Sequence, residues 1–155
     1  MTFPTVTGTN LLRKKMTLPK DFKGEFNLLF IPFQQWQQEE VNSWMGLVET
    51  LEEQVNGLVY YELPTIRSLN TLSRWFINEG MRAGIPNPKT RERTVTLYLD
   101  KKAFQVALNM TDEEHIYVVL VDRQGNELFR TRGAHSQEKE AALRLALGQA
   151  NHQEG

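Results

Sequence analysis

Two uninterrupted apolar runs constrain this chain most: Asn27-Leu28-Leu29-Phe30-Ile31 and Ile116-Tyr117-Val118-Val119-Leu120-Val121. Successive side chains of a strand point to opposite faces, so a run that is apolar at nearly every position describes a strand covered on both sides. Such strands lie inside a sheet flanked by helices. The patterns between the two runs agree. Pro32-Phe33 closes the first run, and Gln35 to Asn56 then places Trp44, Leu47, Val48, Leu51 and Val55 on one face of a long helix that Gly57 stops. Leu58 to Leu63 is β-rich and predicts the next strand. Pro64 and Thr65 open another helix, with Thr65 as its N-cap and Ile66, Leu69, Leu72 and Phe76 as its apolar face.

The second half continues the alternation. Arg82 to Arg93 is a polar loop with Pro86 and Pro88, and Thr94 to Leu99 is a strand. Asp100 caps a short helix, Lys101 to Leu108, with Ala103, Phe104, Ala107 and Leu108 inward. Asp122 to Asn126 is a hairpin loop after the second apolar run, and Glu127 to Arg132 is its return strand. Ser136 caps a closing helix whose inner stripe is Leu143, Ala146, Leu147 and Ala150, and Asn151 to Gly155 form a frayed tail. Residues 1–25 read as a lead-in with short extended segments, such as Lys15 to Leu18. Residues 26–150 then form one α/β domain, a three-layer sandwich with a central mixed sheet of about five strands and helices on both faces.

Composition narrows the function classes. The chain has 155 residues and no cysteine. That removes disulfide scaffolding, thiolate nucleophiles and cysteine-based metal sites together. A chain of this length buries roughly 70% of its unfolded surface, so it needs no metal or disulfide staple. The net charge of −1 argues against a nucleic-acid partner. The basic runs Arg13-Lys14-Lys15 and Lys89 to Arg93 are short and interrupted, and read as solvated ends of elements. No stretch approaches the roughly 20 apolar residues of a membrane span, so no integral membrane segment is expected. Met1-Thr2-Phe3-Pro4 lacks the order of a signal peptide, which makes a cytoplasmic location the expectation.

Few residues offer catalysis or metal binding. His115, His135 and His152 lack metal-ligand spacing, although His115 and His135 flank the hairpin and could approach in space. Glu39 and Glu40 are adjacent and therefore diverge on a helix. No phosphate-binding glycine loop or nucleophile elbow is present. No cofactor and no metal are expected. Arg82, Lys89, Arg91 and Arg93 suit a surface loop. Tyr60 and Tyr61 point to opposite faces of their strand, so one is exposed if the strand is an edge, and Trp75 beside Phe76 leaves one aromatic outward.

The order of elements, with the stretch Leu28-Leu29-Phe30-Ile31-Pro32-Phe33-Gln34-Gln35-Trp36-Gln37-Gln38-Glu39-Glu40, resembles the thioredoxin-like superfamily, in particular its peroxiredoxin-like branch. In those proteins a buried strand and a turn, often with a Trp, lead to a reactive Cys-x-x-Cys at the first long helix. The resemblance places the two cysteine positions at Gln37 and Glu40. It places the superfamily's cis-proline, just before the hairpin's first strand, near Ile116. Both chemical landmarks are therefore missing, and oxidoreductase or peroxidase chemistry through a protein thiol is excluded.

Three further stretches are similar to the mitochondrial ATP synthase assembly-factor family, also called the ATPase subunit ten family. They are Phe3-Pro4 with Gly8, Leu97 to Phe104, and Ile116 to Gly125. The resemblance implies an assembly-chaperone role and a peripheral contact with a membrane complex. With no transit peptide expected, it implies a bacterial relative.

The leading expectation is thus a redox-inactive thioredoxin-like module that binds a protein partner through Trp36, Gln37, Glu40 and Ile116. A helix start offers free N–H groups, and the glutamines around Trp36 add amide donors and acceptors. The alternatives are a thiol-independent enzyme using a cleft at the same place, and a stress or housekeeping protein in which the fold serves dimerisation.

Overall fold

The computed structural model describes residues 2–66 and 88–154, the last three by their backbone alone. The first apolar run forms β3 (Phe26–Ile31), buried along its whole length. It pairs in parallel with β4 (Leu58–Glu62) and antiparallel with β7 (Tyr117–Asp122). The hairpin return β8 (Glu127–Arg132) completes the order β4-β3-β7-β8. Both apolar runs therefore occupy the interior of one sheet, as their composition requires.

That sheet is covered on both faces. Leu28, Phe30, Val118 and Leu120 face one core, with Trp44, Val48, Leu51, Leu143 and Leu147. Leu29, Ile31, Val119 and Val121 face the other, with Phe3, Met16, Phe22 and Phe104. The helices over the first core are α1 (Gln38–Asn42), α2 (Met45–Gln54) and α5 (Gln137–Glu154). The second core is closed by the lead-in and by α4 (Lys101–Ala107).

The lead-in is more regular than its sequence suggests. β1 (Val6–Asn10) and β2 (Lys15–Leu18) form an antiparallel hairpin. Asn10 Oδ1 closes its turn by accepting the N–H groups of Leu12 and Lys14, both at 2.9 Å. β1 pairs with β6 (Val95–Tyr98), and β6 with the two-residue β5 (Thr65–Ile66), giving a second sheet of order β2-β1-β6-β5. The two sheets adjoin where β4 passes through Leu63-Pro64 into β5: Glu62 bridges Thr94, and Leu97 N–H donates to the Pro64 carbonyl at 2.8 Å. Two four-stranded sheets thus stand where about five strands were expected. The additional strands come from the lead-in and β5, which are too short to show a clear period. Gly8 permits the close approach of β1 to β6, since a Cβ there would lie 2.7 Å from the Thr96 carbonyl oxygen.

Other differences have local causes. The expected long helix opens with a 3₁₀ turn, Gln35–Gln37, and breaks at Ser43-Trp44. Ser43 Oγ donates to the Glu40 carbonyl at 2.6 Å and accepts His135 N–H at 2.9 Å. A serine hydroxyl bonded back onto the preceding turn bends a helix. Thr65 is no N-cap: it is buried in β5, and its hydroxyl donates to the Leu63 carbonyl at 3.0 Å. Ile66 is buried in the same strand. Leu69, Leu72, Trp75, Phe76, Arg82 and Pro86 lie outside the described residues.

Residues expected to end a loop form α3 (Pro88–Arg93). Proline is tolerated in a first turn, and Lys89 and Arg93 are held by Glu52 at 3.2 and 2.8 Å. Neither tyrosine of β4 is exposed, because Arg93 lies over Tyr60 and Phe22 packs on Tyr61. In α4 the Asp100 cap forms as expected, accepting Ala103 N–H at 3.1 Å, and Phe104 faces inward with Leu108 beyond the helix end, whereas Ala103 and Ala107 are exposed. α5 continues through the expected tail to Glu154. Among the described residues no helix is long and apolar enough to cross a membrane.

Candidate functional site

The end of β3 delivers the chain to Pro32 and Phe33, and the 3₁₀ turn follows at once. Gln37 is fully buried there. Its Oε1 accepts the N–H groups of Phe33 and Gln34 at 2.8 and 3.3 Å, and its Nε2 donates to the Glu113 carbonyl at 2.5 Å. The side chain therefore satisfies orphan groups of the turn and ties it to the segment before β7. The Glu113 side chain adds a second tie. Burial pushes its carboxyl up, but the Lys101 ammonium with the Gln105 and Gln34 amides outweighs this and holds it below the usual range.

Glu40 lies one turn along, with its side chain 11% exposed. Its Oε1 accepts Ile116 N–H at 3.1 Å, and its Oε2 lies 2.7 Å from His115 Nδ1. Ile116 itself is fully buried. The turn that carries His115 is fixed from the other side by Arg132, which grips both oxygens of Asp112 at 2.9 and 2.7 Å and donates to the His115 carbonyl at 2.9 Å. The Arg132 hydrogen bond pulls the Asp112 carboxyl down to about 2. The same guanidinium lies 4.0 Å from the centre of the Tyr117 ring.

Of the four residues singled out from sequence, Gln37, Glu40 and Ile116 are thus drawn into one framework at the junction of the first helix and β7. Trp36 is not. It is 53% exposed, and its indole lies edge-to-face with the His115 ring, with ring centres 6.1 Å apart. The framework leaves an outward ledge of one indole and one imidazole. The ledge's polar atoms are His115 Nε2, because Nδ1 faces Glu40, and the Trp36 indole nitrogen. The two histidines that flank the hairpin go to different acids, His135 Nε2 lying 2.8 Å from Glu140. Among the described residues no group of three or more histidines, aspartates or glutamates is arranged to hold a metal ion.

Sequence reasoning passed over Glu62, the lone acid in the apolar strand Leu58 to Leu63. It is buried at the end of β4 beside Gln38, and burial pushes its carboxyl up to about 7 despite a hydrogen bond from Gln38. Glu62 Oε1 and Gln38 Oε1 are both buried without a partner. An acid among apolar neighbours in a strand is the signal that marks such a residue.

No family model and no curated protein matches the chain. Solved structures do match. The thioredoxin domain of a thiol-disulfide oxidoreductase from Bacteroides vulgatus is similar with a TM-score of 0.60 and 22% identity, covering 86% of this chain and 88% of that one. A thiol:disulfide interchange protein from Bacteroides sp. gives 0.58 and 20%, covering 83% and 78%. The exposed lipoprotein thioredoxin of Streptococcus pneumoniae gives 0.56 and 13%, covering 92% and 98%. The likeness to ATP synthase assembly factors finds no support among these matches. At such identities the comparison speaks for the fold alone, and with the sheet order and helix placement described above, the chain has the thioredoxin-like fold.

Proposed function

We propose that this chain is a redox-inactive thioredoxin-like protein that binds another protein through the ledge of Trp36 and His115. The observation that carries this reading is the engagement of Gln37 and Glu40. They stand where the superfamily resemblance puts the reactive cysteines, and both are committed to hydrogen bonds within the fold. Ile116, at the place of the cis-proline, supplies one of those bonds. The engagement of Gln37 and Glu40 within the fold favours the binding reading over a thiol-independent reaction at these residues. A half-exposed indole beside an imidazole has the character of an interface anchor, large and rigid with a polar neighbour.

The finer reading is assembly chaperoning at a membrane complex, met peripherally from the cytoplasmic side of a bacterial cell. It rests on the likeness of Leu97 to Phe104 and Ile116 to Gly125 to the assembly-factor family. One experiment tests both levels. The tagged wild-type protein and the Trp36→Ala/His115→Ala variant are used to capture partners from native lysate, with circular dichroism to verify the fold. The expected result is a defined partner retained by the wild type and lost with the variant. Its identity as a membrane-complex subunit would support the finer reading. Capture of no partner, or equal capture by both proteins, overturns the proposal.

A further inference from the structure

A second site lies away from the ledge and shares no residue with it. A cavity of about 370 Å³ opens between the β1–β2 hairpin, the segment after β2, β4 and α3. That volume falls in the range of small-molecule pockets. Its floor is apolar and already packed: Met16, Phe22 and Tyr61 are buried, and the Phe22 and Tyr61 rings lie 5.1 Å apart.

One polar group is built into this floor. Tyr61 is 1% exposed and lines the cavity, and its hydroxyl oxygen accepts the N–H of Lys23, another lining residue, at 3.0 Å. That bond uses a lone pair and leaves the hydroxyl proton to donate. A buried hydroxyl proton gains by finding an acceptor.

The rim supplies charge. Lys23 is paired with Glu92 at 2.5 Å, and the Asp21 carboxylate accepts Thr17 N–H at 2.7 Å. Lys14 and Lys20 also line the opening; among the described residues neither ammonium forms a close ion pair, and the Lys14 charge acts on the Glu92 carboxylate from a distance. Three lysines against two carboxylates leave the opening with one excess positive charge.

We propose that this cavity binds a small organic carboxylate, its apolar body on Met16, Phe22 and Tyr61, and its carboxylate between the Tyr61 hydroxyl and the Lys14 and Lys20 ammonium groups. The apolar floor selects against inorganic anions, and the excess charge selects against neutral analogues. The hydroxyl fixes the depth at which the carboxylate stops. This arrangement divides recognition into one buried apolar surface and a few convergent polar groups.

The test is a titration of the 15N-labelled full chain with 4-phenylbutyrate, followed by amide chemical shifts. The uncharged 4-phenylbutanamide and inorganic phosphate serve as controls. Saturable shifts are expected at Met16, Phe22, Lys23 and Tyr61, with the amide binding about tenfold more weakly and phosphate not at all. Lys14→Ala/Lys20→Ala, two exposed positions that leave the floor intact, should weaken the carboxylate by about tenfold and leave the amide unchanged. Shifts centred elsewhere, no shifts at millimolar probe, equal binding of acid and amide, or a double variant that binds like the wild type would each overturn the assignment.

Discussion

Ile116 donates its backbone N–H to Glu40 Oε1 across 3.1 Å, and His115 Nδ1 lies 2.7 Å from the other oxygen of the same carboxylate. One side chain of α1 thereby fixes two consecutive residues of the turn that enters β7. Glu40→Ala should destabilise the protein by about 2 kcal/mol, the scale of a charge-assisted bond with a half-buried donor left unpaired. Glu40→Gln keeps an acceptor for Ile116 and should lose less than half as much. Urea denaturation reads both, and equal losses would mean that the Ile116 bond contributes nothing.

Glu62 gives a pH dependence with a definite sign. Burial raises its carboxyl from 4.5 to about 7 in the fold. A raised acid contributes stability that is full below the unfolded value and lost as pH rises through the folded one. Glu62 should therefore lower stability progressively from about pH 4.5 to above pH 7, by about 3 kcal/mol in all. Glu62→Gln removes the titration, so it should flatten this slope and leave the variant more stable than wild type in alkaline buffer. Parallel stability curves for the two proteins would rule out Glu62 as the source.

Trp44 sits fully buried between the sheet and α5, and its indole N–H donates to the Gly133 carbonyl at 2.9 Å. Trp44→Phe preserves an aromatic but leaves that carbonyl unpaired and opens a void. A loss of about 2–4 kcal/mol is expected in equilibrium unfolding. By contrast, Trp36→Ala should change stability by less than about 1 kcal/mol, as a substitution at a half-exposed position. Comparable losses at the two tryptophans would show that Trp36 is a packing residue.

At Gly8 the prediction concerns the joint between hairpin and sheet. An added Cβ meets Thr96 O and a Val95 methyl at 2.7 Å and Leu97 Cδ2 at 2.8 Å. Gly8→Ala must push β1 away from β6. Amide protons of β1 and β6 should then exchange faster, while those of β3 and β7 keep their protection. Unchanged exchange in β1 would show that the neighbours yield instead.

These sites differ in how far the chain announced them. The buried strands β3 and β7 were legible because every position in them but Asn27 and Asp122 is apolar, and a strand covered on both faces leaves few other readings. The helix face of Trp44, Val48 and Leu51 was legible from its period. The break at Ser43 was not, because it depends on a hydroxyl meeting His135, a residue 92 positions away. Thr65 and Ile66 depart from their local pattern for a related reason: Pro64-Thr65 is a good helix opening locally, but pairing with β6 decides the conformation. At the candidate site the sequence picked out Trp36, Gln37, Glu40 and Ile116 by their places along the chain. It could not show that His115 reaches Glu40 and that Glu113 reaches Gln37, since those contacts span 75 or more positions.

The bond between Glu40 and Ile116 also couples two positions that lie far apart in the chain. A cysteine at position 40 would strand the Ile116 N–H, and a proline at position 116 would strand a Glu40 oxygen. Each change alone carries a penalty that the other would relieve. The two positions therefore behave as one unit, tolerant of a paired exchange and intolerant of either half of it.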